Sequence, residues 1–332
     1  MKKMNFLSKN HIPTKVVTLV KVIIFLPHFL YETIYRMLWN LWNSYSIVKN
    51  ETVDLAELSI VSHILEKGIT MPERRLGFGY DNVRGVIRRI KQIIIKYSSH
   101  HIEIQSAISD LEQYYKIHKE AKFELPADID AGINEILKYK QYETQPCFEI
   151  TKDEYFKETN NFAEFANQRH SVRWYSDDPV TDEEIAKVIK LAQSAPSACN
   201  RQGTKVYVIS TEAKKKEVLK LQNGNRGFGD MADKLLLITN DMSFWKYSHR
   251  PLAITDSGIF TMNLLYALHY YNICACTLNA VLSIKKERKL QKIVGYSKSE
   301  FPVVFISIGH APNKFMIAGS QRLKIEQIYK IV

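Results

Sequence analysis

The sequence predicts a protein of helices and strands arranged in two unequal parts. Three observations carry this. Through about residue 140 the chain reads as helices, with apolar residues recurring at three and four in 53–67 and 82–97. Beyond about residue 160, short apolar runs of strand length alternate with helical stretches. Between them, residues 141–160 hold Pro146 and several charges, the composition of a junction. We therefore expect a helical N-terminal region over 1–145 and a second domain over 155–332. A chain of 332 residues can bury one large core or two modest ones.

Residues 14–47 read as two helical pieces divided near Pro27. The second is rich in rings: Tyr31, Tyr35, Trp39, Trp42 and Tyr45. Such rings suit packing against another domain, and they also suit a membrane–water interface, so peripheral membrane contact through 14–47 stays open. Met1-Lys2-Lys3 and the apolar run at 16–26 imitate a signal peptide. Lys21 interrupts that run, however, and Pro27-His28 follows where small cleavage-site residues belong. Without 18 uncharged residues in a row, a transmembrane helix is not expected.

A helix is expected over 53–67, capped by Asp54 and stopped by Gly68, with Lys67 suiting its negative end. His63 and Glu66 stand three apart on it, but one pair does not make a metal site, and no metal is expected. Met71 to Tyr80 is a loop. Residues 82–97 form a basic amphipathic helix. Val83, Val86, Ile87, Ile90, Ile93 and Ile94 line one side; Arg84, Arg88, Arg89, Lys91 and Lys96 occupy the rest. It suits a core-facing helix with a solvated basic side, or contact with anionic lipid. Further helices are expected over about 101–120 and 128–140.

In the second part, Thr181-x-x-Glu184 forms a capping box, ahead of Ile185, Val188, Ile189 and Ala192 on one helix face. Strands are expected at 204–210, 234–239, 274–279 and 301–309. The three glycines of 222–230 indicate a flexible loop. Asp256 to Ile273 is apolar nearly all round, which predicts a central buried helix capped by Thr255 or Asp256.

The stretch most suggestive of chemistry is RHSVRWYSDDPVTDEEIAKVIKLAQSAPSACNRQ, residues 169–202. Arg169, Ser171 and Arg173 are spaced by twos. Two guanidiniums and a hydroxyl so spaced can converge on one phosphate dianion, because each guanidinium supplies parallel N–H donors. At the other end, Asn200 and Gln202 carry primary amides, which match a heterocycle edge alternating C=O and N–H.

These two segments, Arg-x-Ser-x-Arg and Ala-Pro-Ser-x-x-Asn-x-Gln, resemble the two N-terminal signatures of the nitroreductase family of FMN-dependent oxidoreductases. Two later matches fall in the family's order: the helix 256–273 with its continuation Cys274 to Asn279, and Ser320-Gln321-Arg322 near the end. The resemblance implies an α+β fold, a nitroreductase-like mixed sheet flanked by helices, here preceded by an all-helical region. It implies a homodimer with two FMN sites at the subunit boundary. By carry-over, Arg169, Ser171, Arg173 and Arg322 hold the phosphate and ribityl tail. Pro196, Ser197 and Asn200 come from the partner chain, and His170, Gln202 and Ser320 are further cofactor-binding candidates. Leu278 and Asn279 lie beside the ring, where a backbone N–H near Asn279 or Ala280 would face its N5. No catalytic side chain is implied. His170 and His310 are read as structural rather than as proton donors.

The implied activity is hydride transfer from NADH or NADPH through flavin N5 to a small organic acceptor, in ping-pong order. Two other readings stay open: an FMN-dependent dehydrogenase of a bound substrate, and a non-catalytic flavin-fold protein docking a membrane or biosynthetic partner. The chain departs from the family at Gln321, where the family has Pro, and at Gly203-Thr204, where it often has Pro-Trp. The smaller pair would widen the pocket or weaken the floor under the ring.

Composition agrees with these expectations. The chain is 45% apolar and 24% charged, with net charge +11. Residues 1–150 hold 20 Lys and Arg against 17 Asp and Glu, or +3; residues 151–332 hold 26 against 18, or +8. The excess falls in the domain expected to draw a phosphate and an anionic nicotinamide. No nucleic-acid-binding signature accompanies it, and no nucleic acid partner is expected. The four cysteines, Cys147, Cys199, Cys274 and Cys276, form neither a disulfide scaffold nor paired metal knuckles. A reducing, cytoplasmic setting is expected.

Overall fold

The computed structural model describes residues 14–43, 50–144, 146–245 and 249–332. The chain divides into two compact units, 1–53 and 54–332. In the first, α1 (Thr14–Asn43) runs unbroken through Pro27 rather than breaking there. One proline removes one hydrogen bond, and the long apolar runs on both sides carry the helix past it. Residues 44–47 of the expected second piece lie outside the described residues. The helix exposes large apolar side chains, among them Leu19, Ile23, Tyr31 and Met37. Among the described residues, no helix is long and apolar enough to cross a membrane.

Helix α2 (Glu51–Ile69) is longer at both ends than expected. Its first turn is capped by Asn50, whose Oδ1 accepts from Val53 N at 3.0 Å. Asp54 lies inside the helix and accepts instead from Lys96 Nζ and Tyr97 Oη, each at 3.2 Å. Gly68 is not a left-handed stop; it stays helical, and a Cβ there would overlap the Phe78 ring. With α3 (Tyr80–Lys96), α4 (Ile102–Glu120) and α5 (Ala127–Leu137), α2 encloses a core around Leu58, Val83, Ile90, Ile104, Leu111 and Ile133. The basic side of α3 is met by acids of this same bundle. Arg84 pairs with Asp128 at 2.7 Å, Arg89 with Glu57 at 2.6 Å, and Lys91 with Glu135 at 2.6 Å. The core-facing reading of α3 is the one the structure takes.

The junction carries a strand that its composition hides. β1 (Phe148–Thr151) pairs antiparallel with residues 314–317 near the far end of the chain. α6 (Lys152–Tyr155) and α7 (Phe162–Gln168) follow, and then α8 (Asp182–Ala192), capped by Thr181 and Glu184 as expected. β2 (Thr204–Ile209), α9 (Glu212–Leu219), β3 (Lys234–Asp241), α10 (Arg250–Tyr270), β4 (Cys274–Asn279), α11 (Ile284–Val294) and β5 (Glu300–Gly309) build the main layers. β6 (Lys314–Ile317) and α12 (Ile325–Ile328) close the chain.

The fold is α+β. The sheet order is β2-β3-β5-β4, and every pair among the described residues is antiparallel, where a mixed sheet was expected. The connections through α9 and α11 each leave and re-enter the sheet at one end, which makes their flanking strands antiparallel. Alternate residues of β3 face opposite layers, as strand geometry requires. Leu235 and Leu237 pack with Val218 and Leu290, while Leu236 and Ile238 pack with Val188 and Leu264.

Helix α10 begins at Arg250, with Pro251 in its first turn, so neither Thr255 nor Asp256 caps it. Nor is it buried all round. Leu252, Ile254, Ile259 and Met262 are exposed on it, while Leu264 and Leu268 are sealed against the sheet.

One acid in the bundle core yields a pH test. Ser62 Oγ donates to Asp110 Oδ2 at 2.5 Å. Burial pushes the Asp110 carboxyl up from 3.8 to about 7, against the lowering effect of Ser62 and with a further upward push from Glu66. Between these two values the folded chain holds a proton that the unfolded chain releases. Stability from this group is therefore present below about pH 4, falls as pH rises toward 7, and then levels. Urea midpoints at pH 5 and pH 8 should differ for the wild type, and Asp110→Asn should shrink that difference; an unchanged difference would contradict the assignment.

Candidate functional site

Residues 169–173 run extended beside β4, with Val172 N donating to Ala275 O at 3.0 Å. Val172 points into the core, so its neighbours Ser171 and Arg173 face the other way, toward the thiol of Cys276. Burial pushes that thiol up, and the charges of Arg173 and Lys67 act in the opposite sense. Arg173 is 8% exposed, and its Nε has no hydrogen-bond partner. The buried Nε of Arg169 lacks one too. Neither guanidinium forms an ion pair with a carboxylate among the described residues. Buried charge of this kind is costly unless something negative meets it.

The C-terminal segment comes to the same place. Ser320 N donates to Glu66 Oε1 at 2.6 Å. The Glu66 carboxyl is held low, by His63, Ser320 and the Arg173 charge, against its burial. The pKa of His170 is lowered first by burial, and also by the charges of Arg169 and Arg322. The structure thus brings Arg169, His170, Ser171, Arg173, Ser320 and Arg322 into one neighbourhood. The His170 ring itself turns aside: it bonds the Gln168 carbonyl at 2.7 Å and stands edge-on to Phe148. Its peptide is clasped by the Tyr155 hydroxyl, which accepts from His170 N at 3.0 Å and donates to His170 O at 3.1 Å. His310 Nε2 lies 3.4 Å from Glu184 Oε1.

Two contributors escaped the sequence reading. Lys67, read there as a helix-end charge, donates to Gly224 O at 2.7 Å. Its Nζ lies 5.1 Å from the Phe228 ring centroid, and the Arg173 guanidinium lies 5.8 Å from the same centroid. The loop 222–230 is also tied down rather than free. Gln222 Nε2 donates to Asn279 O at 3.1 Å, Asn279 Nδ2 to Asn223 O at 3.2 Å, and Asn225 Nδ2 to Leu219 O at 2.9 Å. The loop therefore lies against the end of β4, where Leu278 is buried and Asn279 exposed, next to Ala280.

The amide segment is positioned by α10. Asp256 accepts from Ser197 Oγ at 2.8 Å and from Ala198 N at 2.7 Å. Gln202 N donates to Ser197 Oγ at 2.9 Å. Cys199, Asn200 and Gln202 have φ of 53°, 54° and 52°, and Ser320 has 47°. Four of the six non-glycine residues with positive φ among the described residues thus fall in two of the motifs. Left-handed backbone costs energy at such residues, and it concentrates at functional segments. Gln202 Nε2 donates to Asn200 Oδ1 at 2.9 Å, and both side chains, with Pro196, are exposed. This leaves one amide NH₂ and one amide oxygen turned outward, a donor beside an acceptor. The segment's hydrogen bonds run to α10 and not to residues 169–173.

The space beside Gly203 is filled from within the chain. An added Cβ would meet Trp245 Nε1 at 3.0 Å and Asn240 Oδ1 at 3.1 Å, so an indole from elsewhere in the chain fills the space. Trp245 Nε1 donates to Asn240 Oδ1 at 2.7 Å, and Thr204 Oγ1 lies 3.0 Å from Ser257 Oγ. No group of three or more His, Cys, Asp or Glu side chains among the described residues gathers as a metal site.

Asp256→Ala should release the amide segment. Two bonds to a buried carboxylate are lost, each worth about 1.5–3 kcal/mol. A lower urea midpoint and faster amide exchange at residues 198–202 are expected; unchanged exchange there would show that Asp256 does not hold the segment.

Residues 166–224 match the model of the nitroreductase family. Over 166 residues the chain is 28% identical to a candidate NADH dehydrogenase/NAD(P)H nitroreductase of Archaeoglobus fulgidus, covering 49% of this chain and 92% of that protein. It is 28% identical over 109 residues to the FMN reductase [NAD(P)H] of Bacillus subtilis, covering 33% of this chain and 41% of that protein. Among solved structures, a candidate NADH dehydrogenase/NAD(P)H nitroreductase of Parabacteroides distasonis superposes with a TM-score of 0.46 at 19% identity, over 52% of this chain and 98% of that one. The matched segment contains both the basic run at 169–173 and the amide segment ending at Gln202, and over that stretch the chain is similar to the nitroreductase family.

Proposed function

We propose that this chain is an FMN-dependent oxidoreductase that passes hydride from NADH or NADPH to a small organic acceptor. The observation that carries the reading is the pair Arg169, half-buried, and Arg173, buried, each with a buried, unpartnered Nε and neither in an ion pair among the described residues. A phosphate dianion satisfies both donors and offsets both desolvated charges. The nitroreductase match, and the names FMN reductase and NAD(P)H nitroreductase borne by relatives, support FMN as the group that brings this phosphate.

In this reading Arg169, Ser171, Arg173 and Arg322 hold the phosphate end, with Ser320 set by Glu66. The His170 peptide, clasped by Tyr155, fixes the basic run against β4. The outward amides of Asn200 and Gln202 bind the edge of the ring. Leu278, Asn279 and Ala280 sit beside it, with the loop 222–230 excluding water from that side. The flavin supplies the hydride chemistry; the side chains supply position and polarity. Two half-reactions in one pocket make the kinetics ping-pong.

Because the amide segment is anchored on α10, we read the site as shared by two copies, with Pro196, Ser197, Asn200 and Gln202 serving the partner's ring. The exposed Leu252, Ile259 and Met262 of α10 supply an apolar face for such a homodimer. The exposed aromatic and aliphatic side chains of α1 would meet a further surface, and a membrane face is the one tested by vesicle flotation with and without residues 1–50.

Purified protein should be yellow or take up FMN, and NADH or NADPH under argon should bleach it. A colourless protein that binds no FMN would overturn the proposal. Arg173→Ala should weaken FMN binding by about 1.5–3 kcal/mol, the worth of a charged hydrogen bond; unchanged retention on dilution would remove Arg173 from the site.

A further inference from the structure

The last turn of α2 delivers Lys67 into the basic neighbourhood, although α2 belongs to the helical region that precedes the nitroreductase match. We propose that Lys67 and Arg173, gathered over the ring of Phe228, together bind the phosphate monoester of the ligand, so that the helical region completes the cofactor site. This rests on the FMN reading and adds to it a residue from outside the matched segment.

The two cations share one ring, at 5.1 and 5.8 Å from its centroid. Neither meets a carboxylate as an ion pair among the described residues. The hydrogen bond of Lys67 goes to a neutral carbonyl, that of Gly224, a residue whose φ of +103° a side chain would disfavour. The acid beside Arg173 is Glu66, and it is already engaged: Oε1 accepts from Ser320 N at 2.6 Å, and Oε2 meets His63 at 3.0 Å. Two half-buried or buried cations thus face one occupied carboxylate. Burial lowers the Lys67 pKa, and the Arg173 charge lowers it further. A bound dianion reverses both effects, by pairing with each charge and by separating the two cations electrostatically. The same contacts link Lys67 through Gly224 to Asn223 and Asn279, so anion binding would also fasten the loop against the end of β4.

The rival role for Lys67 is that of a loop tether alone. Binding of FMN and of riboflavin, which lacks the phosphate, separates the two. Lys67→Met keeps the aliphatic stem over Phe228 and removes the charge; Lys67→Arg restores it. The proposal expects Lys67→Met to bind FMN at least about tenfold more weakly, with riboflavin affinity unchanged and with FMN affinity recovered in Lys67→Arg. Equal losses for both flavins, or no loss for either, would overturn it. If the wild type binds no FMN at all, the flavin reading fails by itself. The anion site is then tested with inorganic phosphate at constant ionic strength: a raised melting temperature in the wild type that is absent in Lys67→Met supports it, and no rise in the wild type rejects it.

Discussion

A guanidinium sealed from water with no direct ion pair, its neighbouring carboxylate Glu66 already bonded to Ser320 and His63, is the constraint on which the rest of the site depends. Arg173 is in that position. The surroundings hold one carboxylate, Glu66, and several further cations: Arg169 and Arg322 act on His170, and Lys67 shares the Phe228 ring with Arg173. A fold stable by only about 5–15 kcal/mol cannot carry several uncompensated charges without compensation elsewhere. A bound dianion would be the simplest compensation, and it would account for the convergence of the segments 169–173 and 320–322.

The second constraint is the placement of the amides. Their segment is pinned to α10 through Asp256, and three left-handed residues turn Asn200 and Gln202 outward. The amides therefore stand on a segment held by α10 rather than by the basic run of the same chain. The apolar side chains exposed on α10 belong to that same half of the problem, because a second copy covering them would carry the amides to its partner's site.

The parts visible in the sequence were those whose signal is local. The capping box at Thr181, the buried strands β3 and β5, and the alternation of Arg169, Ser171 and Arg173 all depend on neighbours a few residues apart. What escaped depends on distant ones. β1 has four residues and finds its partner near position 315, so nothing in its own composition marks it. Asp256 looked like a helix cap, and Gly68 like a helix stop; the first serves a loop and the second admits the Phe78 ring. The ties on 222–230 were not legible because Gln222 bonds the distant Asn279 carbonyl and Lys67 reaches the Gly224 carbonyl from α2. The space left by Gly203 was invisible as filled, because Trp245 enters it from another strand's end. Lys67 was legible only as a helix-end charge until the fold put it beside Arg173.

Phosphorus NMR of FMN bound to the protein tests the central claim most directly, because a free phosphate monoester titrates near pH 6. A phosphate held by these buried cations should remain dianionic, its resonance unmoved from pH 5 to 8 and shielded from paramagnetic ions in solvent. A resonance that titrates like the free monoester, or no bound resonance at all, would contradict the account.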